Sequence, residues 1–142
     1  MRSVFVDTDV VFDILSNREP FYLEAQNIFK LVEMGQVRLV MSSSSLANLF
    51  YLCYDLYKIE QSDQKLATLI NVCQLIHADR SVVLQALDSP FRDKEDALQY
   101  FTAISNGVDY FVTRNLKDYT KTSAVLPVLS PRAFLKIASE ES

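Results

Sequence analysis

Four short runs, residues 4–6, 37–41, 110–113 and 125–129, are almost wholly apolar on consecutive positions. They lack the in–out alternation of a half-exposed strand, so each reads as a strand buried on both faces. That is the signature of a parallel sheet covered by helices. Between them, apolar residues recur at helical spacing. Phe21, Ala25, Ile28, Phe29 and Val32 run up to Gly35, and Leu46, Leu49, Phe50, Cys53, Leu56 and Tyr57 form a second stripe. Ala97, Leu98, Phe101 and Ile104 form another, closed by Gly107. Further helices are expected over residues 8–15, after Pro20, and from Ser62 with Leu66, Leu69, Ile70, Cys73 and Ile76 on its inner face. Others are expected over 82–87 and from Ser130-Pro131, with a short third strand at 77–79. The fold class is α/β: a three-layer α/β/α sandwich with a mostly parallel central sheet. At 142 residues the chain is expected to be a single domain over 1–142.

No apolar run approaches the ~20 residues of a membrane span, and no signal-peptide pattern opens the sequence. Cys53 and Cys73 lie inside apolar patterns without a Cys-x-x-Cys spacing, so reduced thiols in a cytoplasmic protein are expected. A single histidine, His77, excludes most histidine-dependent catalysis. Fourteen Lys+Arg against eighteen Asp+Glu give a net charge of −4, which argues against non-specific duplex binding over the whole surface.

In open parallel sheets, ligands bind beyond the carboxyl ends of the strands. Polar residues gather there: Asp7 after the first run, Ser42 to Ser45 after the second, and Thr113-Arg114-Asn115 after a later one. Asp96 opens the helix feeding that last strand. Asp7, Asp9, Asp96, Asn115 and Asp118 can converge on one edge, with Asp93 and Glu95 close by. Carboxylates without histidine or thiolate partners suit a hard cation, Mg²⁺ or Mn²⁺, which needs only one or two of them. Each residue also has a plainer role. Asp7 and the serines can cap helices, Asp93, Glu95 and Asp96 complement a helix dipole, and Asn115 and Asp118 build a turn. Ser43 is the serine that could face a metal-bound water or substrate.

The opening Val4-Phe5-Val6-Asp7-Thr8-Asp9-Val10 resembles the start of a PIN domain. Glu95-Asp96-Ala97-Leu98 followed by Asn106-Gly107-Val108-Asp109-Tyr110-Phe111-Val112-Thr113-Arg114-Asn115 resembles its later half. The size is similar to that of single-domain VapC-type toxins. The resemblance implies a metal-dependent ribonuclease cleaving RNA phosphodiesters, with Asp7, Asp96, and Asn115 or Asp118 around the metal. Asp9, Ser43, Asn48, Glu95, Thr113 and Arg114 would support them or touch the substrate. It also implies homodimers and a small antitoxin partner. One departure is Asn48, which stands where the family commonly has glutamate. An amide oxygen can ligate but brings no charge.

From Tyr110 to Ala138 the chain carries Arg114, Lys117, Lys121, Arg132 and Lys136 against one acid, Asp118. Such a stretch could hold RNA phosphates, with Arg114 nearest the site. Phe50, Tyr51, Tyr54 and Tyr57 exceed what one core of this size needs and suggest a homodimer interface. Two rival functions remain open. One is a PIN-like RNA- or antitoxin-binding module with weakened activity. The other is a phosphatase similar to the haloacid dehalogenases, which share the Asp7-Thr8-Asp9 opening and would use Asp7 as nucleophile and Ser42 as their second motif.

Overall fold

The computed structural model describes residues 1–119 and 125–141. Its sheet has five strands in the order β3-β2-β1-β4-β5, all parallel. Strand β1 (Arg2–Val6) lies at the centre, between β2 (Val37–Ser42) and β4 (Tyr110–Val112). Strands β3 (Cys73–Ile76) and β5 (Val128–Leu129) form the edges. Alternate residues of each central strand feed opposite cores, which is why the runs are apolar throughout. Val4, Val6, Leu39, Met41 and Val112 face one layer, where α1 (Thr8–Ser16), α2 (Tyr22–Glu33), α3 (Ser44–Phe50), α4 (Ser62–Val72) and α7 (Pro131–Glu141) pack. Phe5, Val40 and Phe111 face the other, under α5 (Arg80–Asp88) and α6 (Lys94–Ser105). The expected three-layer sandwich is present.

Gly35 ends α2 at φ 73°, with Gln36 N–H donating to the Leu31 carbonyl. This left-handed closure is one that a side chain would strain.

Several boundaries differ from the sequence expectation. The third strand is residues 73–76, not 77–79, so Cys73 and Ile76 belong to β3 rather than to a helix face. Its Gln74 and Leu75 are exposed, as an edge strand allows. Leu69, Ile70, Cys73 and Ile76 happen to continue a helical spacing across the end of α4. Asp79 instead caps α5, accepting from the Val82 amide at 3.1 Å. Pro20 follows a cis peptide and precedes α2, which starts at Tyr22. The stripe over 46–57 is α3 followed by a π-helical turn, Tyr51–Leu56. Apolar spacing alone does not separate the two windings. Of the run 125–129, only Val128–Leu129 pairs as strand.

Phe111 is fully buried, with its ring stacked on Phe5 at 5.1 Å and tilted against Tyr119 at 4.9 Å. Phe111→Ala should cost about 3–5 kcal/mol. A urea unfolding midpoint that falls at unchanged slope would report this loss.

Candidate active site

Chain connections leave β1 and β4 toward opposite edges of the sheet, so their carboxyl ends border a crevice. Asp7 stands at the end of β1 and Thr113 at the end of β4. The Asp7 amide donates to the Val112 carbonyl at 2.9 Å, tying the two ends together. Asp7 is 5% exposed. Its Oδ1 accepts from the Thr8 amide (2.7 Å) and Gln99 Nε2 (2.9 Å). Its Oδ2 accepts from Thr113 Oγ1 (2.8 Å) and Tyr119 Oη (3.3 Å). Thus Asp7 caps α1 and also anchors three other elements. With about four acceptor sites on a carboxylate, its capacity is filled. A nucleophilic aspartate needs an open oxygen, so this arrangement disfavours the phosphatase reading.

Tyr119, on a 3₁₀ turn (Leu116–Tyr119), brings its hydroxyl close enough to Asp96 in the first turn of α6 to offset part of the rise of that carboxyl. Its ring is fixed by Phe91, Tyr100 and Phe111. Burial, then the negative charges of Asp7 and Asp93, push the Asp96 carboxyl up to about 7. Burial and Asp7 likewise push Asp9 up to about 7, although Arg114 pulls it back. Asp7 itself is raised by burial, against its four hydrogen bonds.

A cleft of ≈ 220 Å³ opens here, lined among others by Asp7, Asp9, Asn48, Glu95, Asp96 and Asn115. Asn48 and Glu95 are exposed on its wall, and the Asn115 amide donates to Thr113 Oγ1 at 3.1 Å. Asp118 lies instead on a neighbouring groove, yet near enough to raise Asp96. Ser43 is exposed and is not part of the cleft wall. Asp93 caps α6, accepting from the Glu95 amide at 2.9 Å. Arg114 lines the same cleft, but its side chain pairs with another acid. Its Nε donates to the buried Asp13 at 2.7 Å, and its guanidinium lies 3.8 Å from the Phe21 ring centre. Arg132 pairs with Glu24 on the surface, and Lys121 lies outside the described residues.

Sequence reading missed Gln99, Tyr119, Asp13 and Arg18, the last a cation on the cleft wall. Gln99 does fall three residues after Asp96, and so on the same helix face.

Among the described residues, no three acidic, histidine or cysteine side chains form a ready metal cage. A hydrated hard cation needs fewer protein ligands. Asp9 Oδ1 is buried without a hydrogen-bond partner among the described residues, and burial, then the charge of Asp7, pushes both Asp9 and Asp96 up to about 7. Acceptor capacity and unbalanced negative charge both fit such a cation.

A PIN-domain family model matches residues 3–117, and the chain belongs to the PIN-domain family. It is 23% identical over 130 residues to ribonuclease VapC1 of Aquifex aeolicus (strain VF5), covering 88% of this chain and 90% of that one. Its fold is similar to that of VapBC2 from Rickettsia felis, solved bound to a promoter DNA fragment. The TM-score is 0.67 at 19% identity, covering 90% of this chain and 98% of that one. It is also similar to Mycobacterium tuberculosis VapC20, a sarcin-ricin-loop-cleaving toxin. There the TM-score is 0.60 at 15% identity, covering 76% and 86%.

Asp9 and Asp96 titrate near 7 in the folded chain against an ordinary 3.8. Between these values the folded chain holds the extra protons, so its stability falls as pH rises. In chelator, the melting temperature should lose this contribution between about pH 4 and about pH 7, and Asp96→Asn should flatten that loss. Melting curves of both proteins across this range test the sign.

Proposed function

We propose that residues 1–142 act as one PIN-like domain, a Mg²⁺- or Mn²⁺-dependent endoribonuclease that is the toxin of a toxin–antitoxin pair. The observation that carries this is the pair Asp7 and Asp96 on the wall of one cleft, close enough that the charge of Asp7 raises Asp96. A divalent cation bound there supplies positive charge for the phosphodiester and a water of lowered pKa. Asp9 and Asp96 would hold it, Asp9 through the oxygen that has no partner among the described residues, while Asp7 would contribute its charge from a fixed position. Asn115, Glu95 and Asp118 lie at the margin, where they orient water or screen the strand. Thr113, Gln99 and Tyr119 keep the Asp7 carboxylate from rotating.

The similarity to VapC1 and VapC20 supports RNA as substrate. The VapBC2 complex supports a small antitoxin, whose arginine or lysine would neutralise Asp7 and Asp96. Phe50, Tyr51, Tyr54 and Tyr57 are each about half exposed, which supports a homodimer through this stripe. None of the described helices is long and apolar enough to cross a membrane, and we assign the protein to the cytoplasm. The second reading is a module of weakened activity, favoured by the uncharged amide at Asn48.

Asp96→Asn should lower RNA cleavage at least about a hundredfold while leaving the melting temperature at neutral pH unchanged or higher. Undiminished cleavage by that variant, or by the native chain in excess chelator, rejects the nuclease.

Asn48→Glu tests the second reading. Asn48 is exposed, so the change should shift stability by no more than about 0.5 kcal/mol. A carboxylate on the cleft wall should tighten Mn²⁺ binding several-fold and raise cleavage. Calorimetric titration beside a melting curve reads both, and unchanged affinity would remove Asn48 from the site.

A further inference from the structure

Two openings near the acids carry cations that form no ion pair among the described residues. Arg18 follows Asn17, a residue in the left-handed region at φ 53°, and lines the ≈ 220 Å³ cleft. Its guanidinium lies 5.7 Å from the Tyr57 ring centre and 6.0 Å from that of Phe21. Two aromatic rings thus flank it while no carboxylate among the described residues forms an ion pair with it. Arg114 differs, because it is bound to Asp13, whose side chain is 1% exposed. Withdrawing it would strand a buried charge, so it is not available to a ligand. Beyond Asp96, a second groove of ≈ 750 Å³ is lined by Arg92, Lys94 and Lys117 together with Asp93 and Asp118. Lys94 is occupied, donating to the Ser89 carbonyl at 2.9 Å. Arg92 and Lys117 are exposed and form no ion pair among the described residues. Asp93 on this groove accepts from the Asp96 amide at 3.3 Å, so the groove borders the start of α6, whose Asp96 lines the first cleft.

We propose that a single RNA strand crosses the site along this line, with Arg18 gripping phosphate on one flank and Arg92 with Lys117 on the other. The proposal rests on the nuclease reading and specifies how the substrate lies. The acids at the centre repel a backbone unless a cation covers them, whereas the flanks attract it with or without one. A flexible single strand can bend its backbone into both openings, which a stiff duplex does only at a cost in bending energy. A chain of net charge −4 has no general attraction for RNA, and local grips must supply it.

The test uses the full chain and a labelled single-stranded RNA of about 12 nucleotides, long enough to span both grooves. In the Asp96→Asn background, Arg18→Ala should weaken binding about tenfold, as removal of a charge-assisted hydrogen bond does. The slope of log affinity against log salt should become shallower by about 0.7 for each phosphate that is no longer neutralised. Arg92→Ala with Lys117→Ala should act likewise, and Arg38→Ala, on β2, should change neither quantity. In otherwise native chain, Arg18→Ala should raise KM about tenfold with kcat within about twofold, and Arg18→Lys should recover part of the loss. Native affinity and salt slope in the Arg18 and Arg92/Lys117 variants overturn the track, as does equal binding of duplex RNA. If the native chain with Mn²⁺ neither binds nor cleaves the strand, the nuclease reading fails and the track fails with it. If the native chain cleaves while the variants behave as native, the track alone fails.

Discussion

The Asp7 carboxylate is buried at the centre of the molecule, and burying an ionised group costs several kcal/mol unless donors replace the lost water. Here the donors come from four places in the chain: the start of α1, the face of α6, the end of β4 and the 3₁₀ turn. None of these can shift alone without leaving an oxygen short of a partner. The carboxylate therefore fixes the junction of β1 and β4, and that junction is where the crevice lies. The aromatic layer of Phe5, Phe91, Tyr100 and Phe111 beneath Tyr119 makes the same demand from the apolar side.

Around that anchor, the fold sorts its charges. Asp9 and Asp96 are added beside Asp7 with no cation set against Asp96, and both carboxyls rise toward neutrality as a result. Arg114, which follows the β4 end directly, would be the natural counter-charge. Its backbone amide does reach Asp9 Oδ2 at 3.3 Å, but its guanidinium is drawn off to Asp13 and Phe21. Asp13 thereby takes the ion pair, and Arg114 lowers Asp9 only in part, against burial and the charge of Asp7. The electrostatic cost left at the centre is the same quantity that a visiting divalent ion would relieve.

Much of the scaffold was legible because its cause is local. Val4–Phe5–Val6 must be buried on both faces to be apolar on consecutive residues, and Asp7 follows from where such a strand ends. Edges were less legible. β3 exposes Gln74 and Leu75, so it lacks the double burial that marks β1, and its apolar residues mimic the helix before it. The π-helical turn after Phe50 was invisible because winding does not alter which residues are apolar. In the site, the acids were legible as residue types gathered at strand and helix ends. Gln99 and Tyr119 were not, since their roles depend on hydrogen bonds to Asp7 across 92 and 112 residues of chain. Arg114 shows the converse: proximity in sequence to the site suggested a phosphate ligand, and a partner 101 residues earlier redirected it.

Asn48 acquires a physical meaning in this setting. A glutamate on that wall would add another negative charge to a group in which two carboxyls are already raised to about 7. Exposure would let water screen much of the repulsion, so the addition would be tolerated, but it would help only when a cation is present. An amide gives the cation a carbonyl dipole and asks nothing of the empty fold. On the proposed nuclease reading, the amide would hold a metal more weakly at little change in resting stability. Charge at the centre then rests on Asp7, Asp9 and Asp96, with the rigidity of the Asp7 network setting how well those three can act together.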